Sequence, residues 1–393
     1  MKKLIAIFTA ITCCYVCCVA QDIPPPALER LKNAILLVDN GMAEAAMPDF
    51  DALAKEYPQN YIVQYERLFA LYHIKKYEEV AAGAKKLIKH KDASPIVFQM
   101  YGNVLDILGK PKEAINVYKQ GLKKFPDAAP LYLEIGNVYV SQKAYNEALN
   151  SFNKGIDVQP DFSSNYYRAG LLYLSSENAK VWGLVYAETA ILLSPDNRER
   201  HSDMGMAIYD CFMDNISVTQ KDGKTEAKIS LVPSRGIILG SKGDAGVVEF
   251  PGVYEACALG ALTKIAVADK EFTGTISQLS EIRKGIVETY FSAADNYFGN
   301  AMYLLPFQKK IIDAGHWEAY NYFIFSQAFT EEFDKWYDDN SDKFDAFVDW
   351  YNKDTFKLDS THTVGIGSIY RDCKRLDTLG SLMFQANLLK LSE

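Results

Sequence analysis

The residues of this 393-residue chain that could carry chemistry are few, and their spacing does not suit it. The five histidines, His73, His90, His201, His316 and His362, form no His-Glu-x-x-His pattern and pair with no cysteine at metal-ligand spacing. Asp338, Asn340, Asp342 and Asp349 occupy positions 1, 3, 5 and 12 of an EF-hand-like loop. Position 6, however, is Lys343 where the tight turn needs glycine, and position 12 is Asp where a bidentate Glu is needed. A solvated acidic joint between helices is the expectation there. Gly236, Gly240, Gly243 and Gly246 invite a phosphate-loop reading, which fails because Gly223-Lys224-Thr225 has Val218 in place of the leading glycine. Gly365-Ile-Gly-Ser-Ile does not satisfy the nucleophile elbow, Gly-x-Ser-x-Gly. His362 lies among the hydroxyls of Ser360, Thr361 and Thr363, where a lone loop histidine is expected to be a solvated one. The chain therefore reads as a non-enzyme with no cofactor and no metal.

The first 20 residues read as a secretory signal. Lys2 and Lys3 precede an apolar stretch from Leu4 to Ile11, and Cys18-Val19-Ala20 places small residues at −3 and −1 before Gln21. Cys13 follows Thr12 with Ala10 at −3, and Cys14 follows another cysteine, so neither suits lipidation. Cleavage after Ala20 is favoured, with a lipid anchor as the second reading. Cleavage would leave Cys211, Cys257 and Cys373, too few for a disulfide scaffold. The net charge of −8 would become −10 with the loss of Lys2 and Lys3. An acidic chain is poorly suited to nucleic acid, which needs clustered Lys and Arg. No later apolar run reaches the ~20 residues of a membrane span. The expected location is the periplasm or the outer membrane's surface.

Internal periodicity dominates the first half. Gly102, Gly136, Gly170 and Gly205 recur at intervals of 34, 34 and 35, and Pro126, Pro160 and Pro195 at 34 and 35. A small residue (Ala114, Ala148, then Gly183) stands between each Gly and its Pro, and Phe98, Tyr132 and Tyr166 fall four before the glycines. This is the pattern of paired antiparallel helices. Small residues mark their close crossing, and proline ends the second helix because it has no N–H to donate.

These residues resemble the tetratricopeptide repeat (TPR) family. Pro95 to Ala128 carries Phe98, Gly102, Leu105, Ala114, Tyr118, Gly121 and Pro126 at the family's spacing. Ala129 to Phe162 carries Tyr132, Gly136, Tyr139, Ala148, Phe152, Gly155 and Pro160. The next unit keeps Tyr166, Gly170, Tyr173, Ala187, Ala190 and Pro195 with one inserted residue. Two earlier units are degenerate: Tyr61 to Ser94 has Leu68 where glycine is expected, and Ala27 to Asn60 keeps Ala46, Phe50 and Pro58. A sixth begins with Gly205 and Ile208 and breaks off. The resemblance implies an all-α, TPR-type superhelix over 27–213, with the first helix of each unit lining a concave groove. It places Gln99, Asn103, Asp106, Leu133, Asn137, Val140, Tyr167, Leu171 and Leu174 toward that groove. Members that clamp a terminal carboxylate have a lysine where this chain has Gln99 and Leu133, so that clamp is not implied.

After Phe212 the period changes. Ile216–Gln220 and Ala227–Val232 read as a hairpin around Asp222-Gly223, with further short strands at Gly236–Gly240 and Gly246–Phe250, making a small β insertion over 214–252. A helical domain is expected over 253–393. Its first helix, from Val253, has a small-residue face and is a candidate for the missing second helix of the sixth repeat. Further helices are expected at about 276–305, 308–314, 316–329, 330–337, 341–352 and 374–391, with Ser341 an N-cap. Twenty of the 67 residues from Tyr290 to Phe356 are aromatic, which helical core packing explains.

The sequence thus predicts a protein-protein interaction scaffold of the bacterial envelope, binding a protein or peptide segment in its groove. The alternative is a glycan-binding envelope protein using the aromatic second half. On that reading it resembles outer-membrane glycan-binding lipoproteins that join TPR helices to aromatic surfaces.

Overall fold

The computed structural model describes residues 23–221, 224–231, 250–267, 272–294 and 299–372. The chain is all-α apart from one antiparallel hairpin among the described residues. It forms two compact units, Met1–Val138 and Tyr139–Glu393.

The first unit holds α1 (Pro25–Asp39), α2 (Ala43–Glu56), α3 (Tyr61–His73), α4 (Tyr77–Leu87), α5 (Pro95–Ile107), α6 (Pro111–Lys124) and most of α7 (Ala129–Ser141). From α1 to α6 each helix packs on the next. Side-chain size at the crossings enforces the pairing. The Tyr118 ring fills the space that a Cβ on Gly102 would need. The degenerate second unit exchanges sizes at the same crossing, with Leu68 lying against Gly83.

The turns inside each pair share one geometry. Gly41, Lys75, Gly109 and Lys143 follow one another at 34-residue steps, and all have φ between 58° and 76°. In each turn the next residue's N–H donates to a carbonyl five residues back: Met42 to Leu37, Lys76 to Leu71, Lys110 to Leu105 and Ala144 to Tyr139. This bond and the left-handed residue before it close the first helix of the pair.

The second unit continues with α8 (Tyr145–Val158), α9 (Ser163–Leu174), α10 (Lys180–Leu193) and α11 (Arg198–Asn215). Strands β1 (Ile216–Lys221) and β2 (Lys224–Ile229) follow, in register from Ile216↔Ile229 to Lys221↔Lys224. That register leaves Asp222-Gly223 as the link, itself outside the described residues. Then come α12 (Phe250–Val267), α13 (Ile276–Ala294), a 3-10 turn at Gly299–Ala301, α14 (Leu304–Asp313), α15 (Trp317–Phe325), α16 (Thr330–Lys353) and α17 (Ile366–Asp372).

The structure departs from several expectations. Phe250 opens α12 instead of closing a strand, and residues Gly299–Ala301, inside the expected helix 276–305, form a 3-10 turn. The second strand begins at Lys224, ahead of the expected Ala227. The helix from Phe250 does not complete the sixth repeat. Its small face meets α13, where Ala261 leaves no room for a side chain on Gly285. The helix that crosses α11 at Gly205 is α15, whose Ile324 carbonyl oxygen would lie only 3.0 Å from a Cβ there. His201 fixes the same crossing, its Nε2 lying 3.0 Å from the Phe323 carbonyl and 3.1 Å from that of Ile324.

The expected joint at Asn340-Ser341 exists, with Asn340 as the non-helical residue (φ −133°, ψ 23°) in place of Ser341 as cap. Asn340 Nδ2 donates to the Trp336 carbonyl at 2.9 Å. A straight helix would separate Phe333 from Phe344 by roughly 16 Å. Their ring centroids are 5.2 Å apart, so α16 folds back on itself there. The signal segment, the strand expected at Gly236–Gly240, residues 246–249 of the next one, Cys373 and the helix 374–391 lie outside the described residues.

Candidate functional site

The first unit gathers the sequence-predicted polar residues on its odd-numbered helices. The 34-residue step makes Tyr65, Gln99 and Leu133 equivalent, as it does Phe69, Asn103 and Asn137, and Tyr72 with Asp106. All eight are half-buried. Glu134 on α7 ties this face together, because Gln99 Nε2 donates to its Oε1 at 2.8 Å and Asn137 Nδ2 to its Oε2 at 3.1 Å. Asn103 has a second task, since its Oδ1 accepts from the Tyr118 hydroxyl at 2.5 Å and so couples α5 to α6.

The electrostatics show that these groups converge. Burial first, and then the Glu134 charge, raises the Tyr118 phenol above its ordinary range; Asp106 and Tyr72 add to the effect. Burial likewise raises Tyr72, with Tyr77 and Glu134 contributing. Burial alone lifts the Asp106 carboxyl. Glu66, equivalent to Glu134 two repeats earlier, is pushed up to about 7, mainly by burial and secondarily by the Asp39 charge. On α3 the rings of Tyr61, Tyr65, Phe69 and His73 form an i,i+4 ladder with centroid steps of 6.2, 6.2 and 4.5 Å. The face is thus aromatic, amide-bearing and acidic.

The remaining predicted groove residues belong to the second unit. Val140 and Leu171 are half-buried. The Tyr167 hydroxyl donates to Asp203 at 2.8 Å, and the Arg200 guanidinium stands 5.1 Å from the Tyr167 ring centre. Leu174 packs against its own partner helix, where it fills the space beside Gly183. It contributes to the pair's crossing.

Sequence reasoning missed the second unit's buried charge cluster. Arg283 Nη2 donates to Glu188 Oε1 at 2.5 Å, and Gln308 Nε2 donates to the same oxygen at 2.7 Å. The Tyr320 hydroxyl also donates to Glu188, and Arg283 Nη1 to Asn321 Oδ1. The Glu188 and Arg283 side chains are 7% and 3% exposed. Burial opposes the Arg283 charge, but Glu188 and the Tyr320 and Tyr254 phenols outweigh it and hold the pKa above its ordinary value. The available signal was one acid in the apolar run Val181–Leu193. Every strong donor here is matched to an acceptor, so the cluster joins α10, α13, α14 and α15 and leaves little for a ligand.

The other chemical candidates are occupied locally. Asp359 accepts from the Thr361 hydroxyl and from the backbone N–H groups of Thr361 and His362, which lower its pKa to about 2. The His362 ring stands edge-on to Tyr303 at 4.4 Å. Among the described residues, no three His, Cys, Asp or Glu gather as a metal-holding group. Cys257 is buried as a small core residue, and burial pushes its thiol up to about 11 and that of Cys211 to about 12. Among the aromatics, Trp317 is buried and donates to the Ser280 carbonyl at 2.9 Å. Trp336 is stacked on Tyr322 at 4.2 Å with planes 8° apart, so one indole face is covered.

Residues 108–170 match the family model of the tetratricopeptide repeat. No curated protein matches the chain. Three solved structures illustrate what it is similar to. YrrB, described as a TPR protein with an unusual peptide-binding site, is 21% identical, with 44% of this chain and 89% of that chain covered and a TM-score of 0.33. A thermophilic TPR protein of Thermus thermophilus, TTC0263, is 19% identical, with 46% and 98% covered and a TM-score of 0.40. PilW, a type IV pilus biogenesis factor, is 14% identical, with 48% and 87% covered and a TM-score of 0.39.

Proposed function

Because this chain carries tetratricopeptide repeats, we propose that it is a non-enzymatic interaction scaffold of the bacterial envelope that receives a segment of a partner protein. The receiving surface is the α3–α5–α7 face of the first unit. One observation carries this reading: Glu134 collects the amides of Gln99 and Asn137 on a half-buried surface lined by Tyr65, Phe69, Tyr72 and Leu133. Side-chain amides there can exchange their bond to Glu134 for bonds to a ligand backbone, while the rings and Leu133 supply apolar contact. Lys2-Lys3, the apolar run after them and Cys18-Val19-Ala20 support the export part of the proposal. No helix among the described residues is long and apolar enough to cross a membrane.

The test is co-purification of the full chain from its native envelope fraction, beside a variant carrying Leu133→Ala and Asn137→Ala. Both side chains are half-buried on the face, and the variant keeps the Asn103–Tyr118 bond that joins α5 to α6. The partner should be lost while helical circular dichroism is kept. Undiminished recovery of the same partner would refute the assignment of the face.

A further inference from the structure

Over α3 to α7 of the first unit the lysines are sorted by helix, whereas α1 carries Arg30 and Lys32 and α2 carries four acids and Lys55. Helices α3, α5 and α7 carry Glu66, Asp106 and Glu134. Their single strong base is Arg67, whose guanidinium is already bonded to Asp51 at 2.7 Å. Neither α5 nor α7 contains a lysine or an arginine. Within this stretch the helical lysines lie on α4 and α6 instead: Lys85 and Lys86 on α4, and Lys112, Lys119, Lys123 and Lys124 on α6. Solubility alone would not need such sorting. It leaves the aromatic and amide face without a cation of its own among the described residues of α5 and α7.

We infer that the partner segment received by this face is cationic, carrying Lys or Arg side chains that meet Glu66, Asp106 and Glu134 and lie over the rings of Tyr65, Phe69 and Tyr72. The inference rests on the function proposed above and adds the chemistry of the partner. Three facts favour a cation over a neutral or acidic segment. Carboxylates in a half-buried setting lack full hydration, so an incoming ammonium or guanidinium restores what burial removed. The aromatic rings present negative faces that attract the same groups. An acidic segment would bring like charges together in a medium of lowered dielectric, which disfavours it. The amides of Gln99 and Asn137 now donate to Glu134, and a basic side chain can take their place and free them for the ligand backbone.

A random 12-residue peptide display library, panned on the full chain, tests this. Clones that bind the wild type and fail to bind the Leu133→Ala/Asn137→Ala variant are directed to the face. Lys and Arg should be at least about twofold enriched in those clones relative to the starting library. Their synthetic peptides should bind roughly tenfold more weakly to a Glu134→Gln/Asp106→Asn variant, a loss of about 1.4 kcal/mol. A Glu113→Gln variant, changed on the exposed side of α6, should bind as the wild type does. Face-directed clones with Lys and Arg at library frequency, or unaltered binding by the amide variant, would overturn the cationic inference and leave the groove in place. A library that returns no face-directed clone at all would overturn the groove and this inference with it.

Discussion

Removing the Glu188 carboxylate tests what holds the second unit together. In Glu188→Ala the Arg283 guanidinium would stay 3% exposed with no counter-charge, and the Gln308 amide and Tyr320 hydroxyl would lose their acceptor. Breaking a buried pair by deleting one partner costs about 3–5 kcal/mol. Each orphaned buried donor adds about 1–3 kcal/mol unless it finds another acceptor. A loss of about 4 kcal/mol or more is therefore expected. Arg283→Met should cost less, about 3 kcal/mol at the lower end of the broken-pair range, because Glu188 keeps two of its three donors. The double variant Glu188→Met/Arg283→Met removes both charges and replaces them with apolar volume, so it should recover much of the loss. All four tryptophans, Trp182, Trp317, Trp336 and Trp350, belong to this unit, so their fluorescence during urea unfolding reports on it alone. At a slope near 3 kcal/mol per molar urea, the Glu188→Ala midpoint should fall by about 1.3 M. A shift below about 0.3 M, or a double variant that loses the sum of the two singles, would refute the account of the cluster as an interlocked buried pair.

Lys75 and Lys143 hold left-handed φ values that Gly41 and Gly109 adopt at the equivalent turns, so Lys75→Gly and Lys143→Gly should each stabilise by about 0.5–1 kcal/mol in urea titrations followed by circular dichroism; unchanged or lowered midpoints would contradict the strain. His201 has its pKa pulled below the ordinary histidine value, chiefly by burial, against the opposing carbonyls of Pro195, Ile324 and Phe323. The unfolded chain then binds a proton that the folded one resists, so stability should drop as pH falls through about 6.5 and be unaffected by this group above it. Wild type should lose more of its urea midpoint between about pH 7.5 and 5.5 than His201→Gln, and equal losses in the two proteins would sink the assignment.

The periodic part of the fold was legible because one physical constraint recurs at each unit. A close helix crossing needs a small residue, and Gly102, Gly170 and Gly205 each meet packed atoms where a side chain would stand. The proposed face follows the same step, which carries Gln99 to Leu133 and Asn103 to Asn137. Glu134 was not legible, because its importance comes from two amides, one of them on α5, that the 34-residue spacing does not reveal. The left-handed turns escape a sequence reading because two of the four hold lysine, a residue with no preference for that conformation. The Glu188 cluster was hidden for a further reason: its partners come from three helices far along the chain. Sequence order points to the next helix as the partner of α11, although packing gives that place to α15.

The pairing of α11 with α15 also sets when the fold can close. His201 and Ile324 are 123 residues apart, and a ribosome adding about 5–20 residues per second needs roughly 6–25 s to span them. Through that interval α11 can extend the stack by resting on α10, but its far side, with Gly205 and His201, stays uncovered. The nascent chain thus carries an open seam for much longer than a hairpin of adjacent helices would, and a chaperone holdase would meet it in that state. Closure of the last repeat, instead of formation of the earlier ones, is the step at which newly made chains stand the greatest risk of associating with each other.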